Sequence, residues 1–259
     1  ADADTDGGGG SFGVTLTSFK PTATAGGSTR AYAGDGLNLK TTTLTIKADG
    51  DANADAELFG LGLAGAVAVS NLIPVAKVSN VVEAYVGENR DTVRVTLADV
   101  EVRDTAGNRG TIVVDAVGSS LATATAGGGS GALGVAITAM KPKSELVGAT
   151  RAYIGPKTDL FAGAVTLDAH ELTARSVAEA DGGSVGGLVG ASIISAEAAA
   201  SRLTEAFVGH HSVVDLGGFS LTAHAITDTG AAMAEASIST GTGGGLVGVS
   251  DLDVVSRVG

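Results

Sequence analysis

The chain has 259 residues, of which 44% are hydrophobic but only 3% aromatic, with 40 Gly, no Trp and no Cys. Its formal net charge of −12 excludes the basic stripe that nucleic acid requires and disfavours docking on anionic lipid. The absence of Cys removes disulfides, thiolate metal sites and thiol nucleophiles. The low charged fraction and many β-branched residues set the chain apart from disordered compositions.

In residues 1–34 the chain opens on Asp2-Ala3-Asp4, without the basic and then apolar run of a leader. Asp2-x-Asp4-x-Asp6-Gly7 matches the start of a calcium loop, yet its twelfth position is Gly13 and not Glu. The unit closes on Ala31-Tyr32-Ala33-Gly34. Residues 35–87 add a strand-like Leu44-Thr45-Ile46 and an alternating Ala strand from Ala52 to Ala56. They close on Ala84-Tyr85-Val86-Gly87. Leu58 to Ala76 carries no charge and is long enough for a membrane span. Gly60, Gly62, Gly65 and Pro74 interrupt it, so a pair of strands is expected instead.

Residues 88–155 form a longer unit. Its excess lies near Val93–Leu97 and Val100-Glu101-Val102, and is read as an extra strand or coil segment. Ile112-Val113-Val114, Ala122–Ala126 and Ala152-Tyr153-Ile154-Gly155 follow. In residues 156–209, Val165-Thr166-Leu167 and Ala178–Ala180 take the same places, and Ala206-Phe207-Val208-Gly209 ends the unit. Ile193 to Phe207 looks helical in isolation. Its counterparts carry Ile73-Pro74-Val75 and Val81-Val82, so it is predicted to be strand. Residues 210–259 bring a turn at His210-His211, then Phe219-Ser220-Leu221 and Ala232–Ala236.

The four aromatics stand at 32, 85, 153 and 207, in steps of 53, 68 and 54 residues. Eighteen residues before each is Val14, Val67, Val135 or Val189; eleven before each is Pro21, Pro74, Pro142 or Ala196. A recurrent period of this size marks a repeat architecture. The predicted fold is therefore all-β, a β-solenoid with units of 53–54 residues and one unit extended. Both ends fall within a unit, and the next aromatic would stand near position 265, so a segment of a longer chain is expected.

Period-two alternation sorts the faces of the motif strand. Thr29, Ala31 and Ala33, and likewise Val82, Ala84 and Val86, form a small apolar face. Arg30, Glu83, Arg151 and Glu205 share the other face with the aromatics and alternate in sign. They can pair directly only if one unit advances the axis by a single layer of about 4.8 Å; rises of about 10 or 14 Å would mean two or three coils per unit.

Several motifs match known chemistry by composition alone. Gly60-x-Gly62-x-x-Gly65 lacks the helix that a dinucleotide fingerprint needs. Gly9-x-Ser11-x-Gly13 and Gly182-x-Ser184-x-Gly186 both fit a hydrolase elbow, and their recurrence in equivalent Gly-rich segments marks them as compositional. Thr41-Thr42-Thr43 does not recur, which argues against an ice-binding array. His170 and His224 each stand 17 residues after their aromatic and are read as equivalent, a metal pair without a third ligand. Asp51, Asn53, Asp55 and Glu57 share a strand face and leave a bound Ca2+ open. The aromatic stripe reads either as a sugar- or fibre-contact ladder or as cover for the edge of the small-residue core. No catalytic, cofactor-binding or metal residue is assigned.

Gly244 to Val249, Thr204 to Gly209 and Leu221 to Ala225 resemble the tandem repeats of very large bacterial surface proteins, the leukotoxin-type filamentous adhesins and related β-strand-repeat exoproteins. The resemblance implies a secreted, cell-surface β-solenoid that is structural or adhesive and not an enzyme. Self-association into fibres or contact with neighbouring repeats is expected, with host or cell-surface glycans as partners; the acidic charge argues against nucleic acid, and the interrupted Leu58–Ala76 run argues against membrane insertion. A carbohydrate-binding or carbohydrate-active β-helix and a calcium-stabilised binding module are the alternatives.

Overall fold

The computed structural model describes residues 1–34, 36–87, 98–217, 220–228 and 232–258. Among these the regular elements are all strands. A first coil holds β1 (Asp2–Ser11), β2 (Val14–Phe19), β3 (Thr22–Ala33) and β4 (Leu37–Lys40). The second holds β5 (Thr43–Ala64), β6 (Val67–Leu72), β7 (Val75–Val86) and β8 (Ala98–Arg103). The third holds β9 (Thr111–Ala132), β10 (Val135–Met140), β11 (Lys143–Ile154) and β12 (Thr158–Phe161). The fourth holds β13 (Val165–Gly186), an unbroken β14 (Val189–Val208) and β15 (Val213–Asp215). A fifth holds β16 (Leu221–Thr227), β17 (Ala232–Gly244) and β18 (Val247–Val258).

Corresponding strands of successive coils pair in parallel, building two large sheets and a small third one. Tyr32 lies beside Tyr85, Tyr85 beside Tyr153, and Tyr153 beside Phe207. One sequence unit is therefore one coil and one layer of the β-solenoid, and the larger rises weighed from the sequence do not apply.

The coil is flat because its first strand is long. β5, β9 and β13 each run for 22 residues, about 73 Å at 3.3 Å per residue. In β5 the alternation is strict: Ile46, Ala48, Ala54, Ala56 and Leu58 point inward, while Lys47, Asp49, Asp51, Asp55 and Glu57 point out. The return path is broken where proline cannot donate to the ladder. Pro21, Pro74 and Pro142 separate β2 from β3, β6 from β7 and β10 from β11, although their carbonyls still accept from the next coil. The fourth unit has Ala196 at this place, and β14 runs through it without a break.

The interior changes along the flat coil. Next to the third sheet it is filled by Val, Ile and Leu, including Val100, Ile112, Ile154 and Leu160. Midway, alanines such as Ala54, Ala76, Ala122 and Ala124 let the sheets approach closely. Towards the far turn, Leu58, Leu72, Met140 and Ile194 form another apolar cluster. Beyond it stand two facing columns of small residues, all but one of them hydroxyl-bearing. Thr17, Ser70, Thr138 and Ser192 line one sheet; Gly62, Ser130 and Ser184 line the other.

The long unit carries its excess in two places. The pairing offset is 53 residues at Val86, 63 at Val100 and 68 at Thr111, so chain enters before and after β8. Val100-Glu101-Val102 is not an additional strand: it belongs to β8, which pairs in register with β4 and β12. Val93–Leu97 lies outside the described residues. The chain after β8 forms a turn. Asp104 there accepts bonds from the Asn108 side chain and from the N–H groups of Asn108 and Ala106. The Asn108 side chain is the main cause holding its carboxyl below the ordinary range. No described helix is long and apolar enough to cross a membrane; the uncharged run Leu58–Ala76 is spread over β5, β6 and the start of β7.

Candidate functional site

Two assemblies of side chains stand out from the repeat. The first is the outer face of β3, β7, β11 and β14. In-register pairing places Arg30, Glu83, Arg151 and Glu205 side by side. Arg30 Nε donates to Glu83 Oε2 at 2.8 Å, and Arg151 Nε donates to Glu205 Oε2 at 2.9 Å. Arg151 Nη1 also stands 3.6 Å from Glu83 Oε1. The alternation noted in the sequence is a continuous ion-pair row.

Beside it the four rings stack face to face. Centroid separations are 5.1, 4.9 and 4.9 Å, with interplanar angles of 6°, 7° and 4°. Such stacking follows from the layer spacing, because identical positions in parallel strands repeat at nearly the thickness of an aromatic pair. The inner rings are covered on both sides: Tyr153 is 2% exposed, against 60% for Tyr32 at the end of the stack. A sugar stacks on a free ring face, and the ladder offers such faces only at its two ends. Burial raises the Tyr153 phenol well above its ordinary value, with Glu83 adding to the effect.

The second assembly is internal and departs from the repeat. The pairing column Gly27, Asn80, Gly148 and Arg202 points inward. Opposite it stands Gly50, Gly118 and Glu171. Arg202 and Glu171 are 2% and 0% exposed and meet at 3.0 Å. Thr150 Oγ1 donates to the same carboxylate oxygen at 2.5 Å. Arg202 Nη1 reaches past Gly148 to bond the Asn80 side-chain oxygen, which also accepts from Ser120 Oγ at 3.0 Å. The reach needs glycine: Gly148 has φ 141°, and a Cβ there would overlap the Asn80 carbonyl and crowd the guanidinium. Glu171 itself is set by a β-bulge. It pairs with Gly118 while Thr173 pairs with Ser119, so Leu172 is the extra residue. Glu171 Oε1 and Arg202 Nε have no hydrogen-bond partner. This pair was missed in the sequence, where its members lie on different strands and only the glycine at 148 hints at a close approach.

The remaining sequence candidates are dispersed. His170 and His224 are not register mates. Two residues enter between Asp215 and Leu221, so the local offset is 56 and His224 lies beside Asp168 while His170 lies beside Ile226. Each ring instead bonds a carboxylate, His224 Nδ1 to Asp168 at 2.8 Å and His170 Nε2 to Asp228 at 2.7 Å. Asp2 and Asp4 line up with Asp55 and Glu57 across two strands. No group of three or more such side chains placed to hold a metal occurs among the described residues. Ser184 points into the interior with Ser192 Oγ 3.2 Å away, and Gly60 and Gly62 lie within β5 and precede no helix. Near the third sheet Arg109 binds Asp215 at 2.9 Å and its backbone carbonyl at 2.5 Å, which keeps that carboxyl below its ordinary range.

Comparison with family models, with curated proteins and with solved structures finds no match for the chain.

Proposed function

We propose that this chain is a structural module of an extracellular fibre or surface stalk, in which each coil adds one layer of length. The observation that carries this reading is the identity of unit, coil and layer: rings, ion pairs and backbone bonds all run along one axis from coil to coil. Supporting it, the Arg202–Glu171 cluster, which departs from the repeat, is sealed in the interior, where no substrate can reach it. Adhesion to glycans would then engage the ends of the aromatic ladder or partners elsewhere on the fibre.

Pulling a single chain by its two ends tests the proposal. A load-bearing stalk resists and then releases coil by coil, each event freeing 53 to 68 residues, or roughly 180–230 Å of extended chain. Incubation with acidic polysaccharides provides the opposing outcome. Sustained release of cleavage products, or unravelling without discrete steps, overturns the stalk reading.

A further inference from the structure

At the far turn, where β1, β5, β9, β13 and β17 pass into the return strands, every coil is free of charge. Residues 7–17, 60–70, 128–138, 182–192 and 240–250 contain no Asp, Glu, Lys, Arg or His, in a chain of net charge −12. What faces outward there is aliphatic. On the return sheet one column is valine in all five coils, from Val14 through Val67, Val135 and Val189 to Val247. The next outward column runs Leu16, Val69, Ile137, Ala191 and Val249. Around the turn stand Phe12, fully exposed, and Leu133 and Leu246, each more than three-quarters exposed. On the opposite face Leu61, Leu63 and Val185 are exposed among glycines. The hydroxyl side chains of these stretches turn inward instead: Ser130 Oγ and Thr138 Oγ1 meet at 2.8 Å, and Ser184 Oγ and Ser192 Oγ at 3.2 Å.

We infer that this edge enters the interface of a neutral, zwitterionic lipid bilayer, to a depth of about 5–10 Å and with the solenoid axis parallel to the membrane plane. Shape decides between lipid and protein as the occupant. The apolar surface wraps a convex edge and takes in the tip and both faces. A folded partner would cover one face, whereas fluid lipid closes around all three. The two sheets lie about 10 Å apart, so the wedge is about as thick as an interfacial helix. Its backbone also suits hydrocarbon, where polar main-chain groups must be bonded internally. The turn N–H groups of Gly65 and Ala66 donate to the carbonyls of Ser11 and Gly13 at 2.9 and 3.0 Å. Those of Gly187 and Leu188 donate to Ala132 and Gly134 at 2.8 and 2.9 Å, and that of Leu246 to Leu188 at 3.1 Å.

Five layers of about 4.8 Å, followed for about 35 Å around the edge, give an apolar surface of roughly 800 Å². That exceeds the largest patch of an ordinary monomer, about 300–600 Å². Charges begin just behind it. Exposed Asp6, Glu57 and Asp181 border it on one face, and exposed Lys20 and Lys141 on the other. Both signs can meet the headgroups of a zwitterionic layer, whereas an anionic leaflet repels a chain with so large an excess of acid. The contact is shallow and confined to one leaflet, so no strand spans the bilayer. The inference is independent of the stalk reading, because resistance to pulling involves no lipid.

Flotation with phosphatidylcholine vesicles should carry the 259-residue chain upward, with no loss of binding at high salt. The chain has no Trp, so a single introduced indole reports where lipid touches. Phe12→Trp and Leu133→Trp place it on the edge; Thr45→Trp places it at the other end of β5, on an exposed position. With the vesicles, the two edge variants should shift their emission to the blue and be quenched by lipid that carries a nitroxide on its acyl chain. Thr45→Trp should do neither. Leu133→Asp and Leu246→Asp alter exposed side chains only. Together they should lower partitioning at least tenfold and leave the thermal melt unchanged. Absence of flotation, binding to anionic vesicles alone, an unaltered partition of the double variant, or an equal blue shift at Thr45→Trp overturns the inference. A blue shift of the edge variants without lipid, with a dimer in sedimentation velocity, overturns it in favour of a second copy covering the edge.

Discussion

Tyr153 sits at the centre of the aromatic ladder, and its hydroxyl has no hydrogen-bond partner. Burial keeps the phenol protonated above the ordinary value of 10.0. Below that pH the group is protonated in folded and unfolded chains alike and contributes no pH dependence. Above it the unfolded chain loses the proton first, so folding stability falls as pH rises. Tyr153→Phe removes the buried hydroxyl and reproduces the ring already present at Phe207. We expect it to be neutral or stabilising by up to about 1 kcal/mol, and to flatten the loss of stability between about pH 9 and pH 11. Thermal melts of both proteins across that range check this; equal alkaline slopes would count against a buried phenol as the cause.

At the scale of strands, alternation is the strongest signal and was legible throughout. Small apolar residues at every second position identified the inner face of each motif strand, and equivalence between units correctly overrode the helical look of Ile193–Phe207, now within β14. Strand length was not legible. Gly60 and Gly62 interrupt the apolar run in the sequence, yet Gly60-Leu61-Gly62 continues a 22-residue strand, because the Leu72 side chain of the facing sheet fills the inner space there: a Cβ at Gly60 would stand 2.6 Å from it. The internal ion pair was hidden for a similar reason, since it depends on a bulge at Leu172 and on space above Gly148. Its energetics are testable. Arg202→Met should destabilise by about 3–5 kcal/mol, because it strands the Glu171 carboxylate in the interior. Adding Glu171→Leu should recover most of that loss. Denaturant titration of the single and double variants measures both effects, and additive losses would show that the two side chains do not act as a pair.

For the whole molecule, unit equals coil, and this turns the ion-pair row into a rule about order. The period was legible from four aromatics, but the number of layers per unit was not, because a repeated motif shows which residues correspond and leaves their axial distance open. Removing residues 86–153 would take away one full unit and leave Glu205 beside Glu83. The shortened chain should fold and melt lower. Glu205→Arg in that background should restore the alternation and raise the melting temperature by about 2–4 °C, for about 1 kcal/mol regained. In the full-length chain the same change should lower it, as it sets a second guanidinium against that of Arg151. Calorimetry of the four proteins decides; a change of the same sign in both backgrounds would rule out a role for the row. The row also bears on inheritance. Tandem sequences gain and lose units by slippage during copying, and a single slip here joins like charges. A slip of two units keeps Arg against Glu. The smallest block that can be duplicated or deleted without electrostatic conflict is thus a pair of coils, and the array carries its own parity.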